Sequence, residues 1–121
     1  MSFESPSFEY EASLRRMGDD VELFREMVGL LQADGPRRLE ELRNGIDVQD
    51  AEQVVHAAHT LKGLAANFSA ARAIKAAAYI EQLARHGDWA GIRKEIASLE
   101  AALAELQSDL RPFIVQAAES A

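Results

Sequence analysis

The sequence of 121 residues contains no cysteine. Disulfide bonds and thiolate metal sites are therefore excluded, and nothing argues for an oxidising, secreted setting. The chain also has no run of 18 apolar residues, and its first residues lack the basic-then-apolar pattern of a signal peptide. These absences predict a cytoplasmic domain that does not enter a membrane.

Basic residues are in the minority, with 13 lysines and arginines against 20 acidic residues and a net charge of −7. Because the binding of a phosphate backbone needs a positive field, this balance disfavours nucleic acid as the main partner. Proline and glycine together number only ten, β-branched and aromatic residues are sparse, and no strand-like alternation is present. The composition therefore predicts an all-α fold.

Apolar residues recur at helical spacing in four long segments that are joined by short turns. This pattern predicts an antiparallel four-helix bundle with an additional short N-terminal helix, which Gly18 should end. We expect an N-terminal arm over residues 1–9, the bundle domain over 10–115 and a C-terminal tail over 116–121. The four-three leucine pattern of the last helix could alternatively form a coiled-coil seam, although core packing explains it more simply.

Local chemistry predicts several helix boundaries. Proline lacks the N–H that a helix interior needs, so Gly35-Pro36 should kink or break the second helix, which Asn44-Gly45 should end. Short polar side chains accept hydrogen bonds from first-turn N–H groups. The expected caps are Asp19 or Asp20, Asp50 in a capping box with Gln53, Ser69 and Asp88.

Two of the three histidines lie in residues 55–63, "VHAAHTLKG", within one predicted helix. Taking about 100° per residue, His59 lies about 140° and His56 about 200° from the centre of the apolar stripe, so both point away from the core. Lys62 lies nearer the shoulder of the helix. The stripe itself consists of Val54, Ala58, Leu61, Ala65 and Phe68.

The outer sector around His59 is unusual because it contains small residues where a solvated helix face would have charged ones. Gly63, Ala66 and Ala70 are predicted to share this sector, together with Glu52. Gly63 costs about 0.5–1 kcal/mol relative to alanine in a helix interior. A surface cleared in this way suits the close approach of another protein.

The residue types on this face favour phosphoryl transfer through His59. An imidazole is largely neutral and nucleophilic at cytoplasmic pH, and the ammonium of Lys62 can balance a bound anion such as phosphate. Two alternatives are an ordinary exposed histidine and a zinc ion shared by His56 and His59. The chain has no cysteine that could be a further zinc ligand, and His86 is predicted in a distant turn. The His-Glu-x-x-His pattern of zinc proteases is also absent. We therefore predict no metal site and interpret His56 as a flanking surface residue.

Residues 58–70, "AHTLKGLAANFSA", closely resemble the signature of histidine-containing phosphotransfer (HPt) domains. The stretches "GDDVELFREMVGLLQADGPRRLEEL" and "LARHGDW" resemble other parts of the same family, so the likeness extends from about Phe8 to Leu110. By this resemblance His59 is the phosphoacceptor, Lys62 the charge-stabilising partner and Gly63 the clearance residue. Glu81 matches the position of a residue that can orient the histidine. The chain departs from the family at Ser69, where glycine is usual.

The resemblance implies a relay between receiver-domain aspartates, with response-regulator receivers, and a hybrid histidine kinase in some relays, as partners. The chain itself should need no cofactor, because the receiver supplies Mg²⁺ and its own lysine. No nucleotide-binding glycine motif is present, so we expect an intermediate without autonomous kinase activity. The alternatives are a helical adaptor that binds receivers without being phosphorylated and a dimerisation module. We expect a monomer.

Overall fold

The computed structural model describes residues 6–114, which form helices joined by turns and contain no strand, and this confirms the all-α prediction. None of its helices is both long enough and apolar enough to span a membrane. The predicted tail and the first five residues of the predicted arm lie outside the described residues. The helices are α1 (Tyr10–Arg16), α2 (Val21–Asp47), α3 (Ala51–Ala66), α4 (Ala71–Arg85) and α5 (Trp89–Leu110), followed by a short 3-10 helix (Arg111–Phe113).

The four long helices enclose one apolar core. Helix α3 packs against both α2 and α4, α4 packs against α5, and α5 packs against α2. The largest fully buried side chains come from all four of these helices and from the turn between α3 and α4. Leu99, Leu103, Leu106 and Leu110 of α5 are all buried within this chain, so the four-three pattern is used by its own core.

Helix α2 runs through Pro36, so of the predicted kink or break at Gly35-Pro36 the break does not occur. A proline in a helix interior costs about 3 kcal/mol because it removes one hydrogen bond and crowds the preceding turn. Burial of apolar side chains on both sides of Pro36 outweighs this cost, since Leu31 and Leu42 are fully buried. Tertiary packing thus holds the two halves in one helix.

The predicted end of α2 at Asn44-Gly45 is also wrong, because the helix continues to Asp47. Gln49 takes the left-handed conformation after the helix, with φ of 55°. Gly45 has a different purpose: a Cβ atom there would lie 2.9 Å from Cγ2 of Val54. Glycine lets α2 and the start of α3 approach each other closely.

Three of the predicted caps are confirmed and one is wrong. The carboxylates of Asp20, Asp50 and Asp88 each accept a hydrogen bond from a backbone N–H three residues further on. The reciprocal half of the capping box is missing, because the Gln53 side chain donates to the backbone carbonyl of Glu41 instead. Ser69 caps nothing: Ala70 is the N-cap residue of α4, and Ser69 has a left-handed backbone with φ of 52°.

Residues 7–18 pack onto the end of the bundle. Gly18 ends α1 as predicted, with φ of 69°. The Phe24 ring lies at the centre of an aromatic cluster, and the backbone N–H of Glu9 donates to the carbonyl of Phe68. Residues 7–9, which belong to the predicted arm, therefore contact the bundle. The rings around Phe24 are Phe8, Tyr10, Phe68 and Phe113, with centroid distances of 5.1–6.4 Å.

Candidate functional site: the His59 face

Helix α3 presents His59 to solvent because its apolar stripe is buried on the other side. All five residues of the predicted stripe are fully buried. Ala57 and Leu64 are buried as well, since α3 packs against two neighbouring helices. The His59 side chain remains 66% exposed, so the predicted orientation of the imidazole is confirmed.

A buried carboxylate from α4 lies directly beneath the His59 imidazole. Glu81 is only 6% exposed and is the one charged residue among the buried residues of the described part of the chain. Its two carboxylate oxygens are each 3.4 Å from His59 Nδ1, at the long limit of a hydrogen bond. The structure therefore brings together His59 and Glu81, which are 22 residues apart in sequence.

Two cations bind the same carboxylate from different helices. Lys62 Nζ of α3 donates to Glu81 Oε1 at 2.9 Å, and Arg85 Nη2 of α4 donates to Oε2 at 2.5 Å. Each cation thus shares an oxygen with the imidazole, and the three donors surround one anion. Desolvation by burial would raise the pKa of Glu81, but the hydrogen bonds from Arg85, Lys62 and His59 outweigh it and lower this pKa from 4.5 to about 2. Glu81 is therefore ionised at neutral pH.

An ionised carboxylate can only accept hydrogen bonds, and this selects the tautomer of His59. In the neutral ring Nδ1 carries the proton toward Glu81, which leaves the lone pair on Nε2. The ring is held through Nδ1, and the nucleophilic nitrogen is the one that does not face the carboxylate.

Of the three small residues predicted to lie near His59 on the outer sector, two lie at the surface and one is buried. Gly63 is exposed, and a Cβ atom at this position would meet nothing within 4 Å. Ala66 is half-buried, whereas Ala70 is fully buried. The prediction that Ala70 lies on the outer sector is wrong because α3 ends at Ala66 and the 100° rotation does not continue past it. The cleared surface consists of Gly63 and Ala66.

A shallow pocket of about 540 Å³ lies on the other side of His59, toward the start of α3 and the end of α4. Sequence reasoning missed this pocket and the participation of Arg85. The four-residue spacing of Glu81 and Arg85 on one helix is the signal that could have drawn attention to Arg85. The pocket is lined by Ala51, Glu52, Val55, His56, His59, Ala84 and Arg85.

The other two histidines do not join the cluster around Glu81. His56 is exposed and lines the pocket, while His86 Nδ1 lies 2.9 Å from the backbone carbonyl of Gln82 at the end of α4. Among residues 6–114, no three histidine, aspartate or glutamate side chains are grouped so that they could hold a metal ion.

Comparison with known proteins identifies the family. A family model described as the Hpt domain matches residues 26–109, which is more than half of the chain and includes α3, α4 and nearly all of α5. No curated protein and no solved structure matches the chain. The match to the family model shows that this chain belongs to the Hpt domain family.

Proposed function

We propose that His59 accepts a phosphoryl group on Nε2 from the aspartyl phosphate of one receiver domain and passes it to the aspartate of another. Hpt domains act in phosphotransfer within phosphorelays, where they interact with receiver domains and histidine kinases. The assignment of the reaction to His59, Lys62 and Glu81 is our inference for this chain.

The observation that carries the proposal is the contact of an exposed imidazole with a buried, ionised carboxylate that is already bound by two cations. Glu81 orients the ring through Nδ1 and favours the tautomer whose Nε2 is nucleophilic. Lys62 donates to Glu81 Oε1, which also lies 3.4 Å from His59 Nδ1, so a positive charge is held close to the ring. An ordinary surface histidine has no need of a buried carboxylate beneath it.

In the proposed step the Nε2 lone pair attacks phosphorus, the N–P bond forms, and the P–O bond to the receiver aspartate breaks. The aspartate leaves as a carboxylate with the bonding electron pair, while the proton on Nδ1 stays and continues to donate to Glu81. The receiver is expected to supply Mg²⁺ and a lysine on the donor side. In this chain Lys62 compensates the negative charge that the phosphoryl group brings to His59.

The surroundings of His59 support docking of a folded partner. Gly63 has open space where a side chain would project, so a receiver can approach the imidazole without displacing anything from this helix. The short turns between the long helices support an antiparallel bundle, which would place the site on one lateral face. We infer that the chain acts as a monomer and in the cytoplasm.

The first test is phosphorylation of variants by a phosphorylated receiver. His59→Gln is expected to abolish labelling, whereas His56→Gln, on the same exposed helix face, should retain most of it. The label on the wild-type protein should be labile in acid and stable in base, as expected for a phosphohistidine. Full labelling of His59→Gln would overturn the proposal.

The same experiment distinguishes the adaptor hypothesis. An adaptor would bind receivers with an affinity that His59→Gln does not change, and it would acquire no label. Binding without labelling of the wild-type protein would therefore favour the adaptor over the relay.

A further inference from the structure

The structure assigns to Arg85 the role of a second phosphoryl-group ligand, which moves from Glu81 to the phosphoryl oxygens when His59 is phosphorylated. This inference rests on the proposed function, because it concerns the phosphorylated state of His59. The sequence assigned three residues of α3 and Glu81 of α4 to the site. Arg85 is a second residue from α4.

The first observation is the arrangement of the cations on Glu81. Lys62 and Arg85 bind different oxygens of the carboxylate, and the imidazole lies 3.4 Å from both oxygens. The Arg85 guanidinium and His59 Nδ1 therefore both contact Glu81 Oε2. A phosphoryl group on His59 would lie within the reach of two cations that approach from separate helices.

The second observation is the position of Arg85 relative to the open space beside the ring. His59 and Arg85 line the same pocket, whereas Lys62 is not among its lining residues. The Arg85 side chain is 57% exposed, so its guanidinium can reorient without unpacking the core. Arginine has five N–H donors in a planar fork that matches the oxygens of a phosphoryl group, and only part of this capacity is used on Glu81.

The charges explain why Arg85 would leave Glu81 for the phosphoryl group. In the unphosphorylated state one carboxylate holds Lys62 and Arg85, so both remain close to the ring without an unpaired buried charge. A phosphoryl group adds nearly two negative charges and three acceptor oxygens. It therefore competes with Glu81 for the donors, and the more exposed Arg85 is the cation that can turn to it most easily. Glu81 keeps its contact with the Nδ1 proton.

An i,i+4 pair of Glu81 and Arg85 could instead serve only to stabilise α4. Oppositely charged pairs at this spacing stabilise helices. A purely structural role would then appear as a change in melting temperature, with no effect on the phosphoryl group. A measurement on the phosphoryl group itself separates the two roles.

The test uses the full chain phosphorylated by phosphoramidate, a small donor that requires no docked receiver. The pH titration of the phosphoryl resonance is followed by ³¹P NMR in the wild type, Arg85→Gln and Arg85→Lys. Lys75→Gln is the matched control, because it removes one exposed positive charge from the same helix at a site that lines a groove toward α5. Melting temperatures verify that each variant is folded.

Loss of a cation that contacts the phosphoryl oxygens disfavours the dianion. We expect Arg85→Gln to move the titration midpoint upward by about half a pH unit or more, with partial restoration in Arg85→Lys and no comparable shift in Lys75→Gln. Titration of Arg85→Gln that coincides with that of Lys75→Gln would overturn the inference. Absence of label on wild-type His59 would instead overturn the proposed function.

Discussion

Gly45 and Gly63 both lie inside helices, but the structure gives them opposite surroundings. A Cβ atom at Gly45 would be 2.9 Å from the Val54 side chain and 3.2 Å from its backbone nitrogen. A Cβ atom at Gly63 would meet nothing within 4 Å. Packing therefore demands glycine where α2 meets α3, whereas nothing in the fold demands it beside His59. A glycine without a packing reason, next to an exposed imidazole, supports our proposal that a receiver docks there.

The largest expected effect on phosphotransfer comes from placing a longer side chain at Gly63. Gly63→Gln should keep or raise the free energy of unfolding by up to about 1 kcal/mol, because glutamine favours helix more than glycine does. The same side chain fills the space that a receiver needs, so phosphotransfer from a receiver should fall about tenfold or more, equivalent to about 1.4 kcal/mol of lost complementarity. Transfer rates and thermal melts measure both quantities.

Phosphoramidate provides the control for Gly63→Gln, since a small donor needs no docking and should label His59 at nearly the wild-type rate. Gly45→Ala is the matched packing variant. It should lower the free energy of unfolding by about 1–3 kcal/mol, because Val54 must shift, and leave transfer by the folded protein unchanged. If Gly63→Gln lost much of its stability and kept full transfer, Gly63 would be a packing residue like Gly45 and not a docking residue.

The second prediction concerns the charge network around Glu81 on the His59 face. The folded-state pKa of Glu81 is lowered to about 2, so ionised Glu81 stabilises the fold above its unfolded pKa of about 4.5, and this contribution disappears as the pH falls toward 2. The wild type should lose about 2–3 kcal/mol more than Glu81→Gln over this range, by the conversion of about 1.36 kcal/mol per pKa unit. Urea unfolding between pH 5 and pH 2 measures the difference. Parallel pH profiles for the two proteins would show that Glu81 is not held as an anion.

The smallest expected effect is at Ser69, where the backbone favours glycine but the sequence has serine. Its φ of 52° is left-handed, and its hydroxyl oxygen is buried without a hydrogen-bond partner. Ser69→Gly should raise the free energy of unfolding by about 1 kcal/mol, because glycine adopts this conformation without strain. Ser69→Ala is the control, since it removes the hydroxyl but keeps the strain. Equal stabilisation by both variants would assign the effect to the hydroxyl rather than to the backbone.

Periodicity identified the helix face of His59 correctly because burial of one stripe fixes the direction of every other side chain on that helix. Val54, Ala58 and Leu61 are fully buried, and the imidazole projects to solvent. The same reasoning failed at Ala70, where the helix had already ended. A break at Pro36, which local helix chemistry would allow, does not occur because packing outweighs the cost of the proline. Local rules are reliable where they agree with the core and unreliable where long-range contacts oppose them.

The sequence by itself determined the all-α class, the orientation of His59, and the small-residue surface of Gly63 and Ala66. The all-α class follows from composition, and the other two follow from the spacing of residues along one helix. Only the tertiary structure decided that Glu81 and Arg85 of α4 meet His59 and Lys62 of α3, and that Glu81 is an anion with a pKa of about 2. The physical reason is that burial and the approach of charges from another helix depend on how helices pack, which no spacing within a single helix specifies.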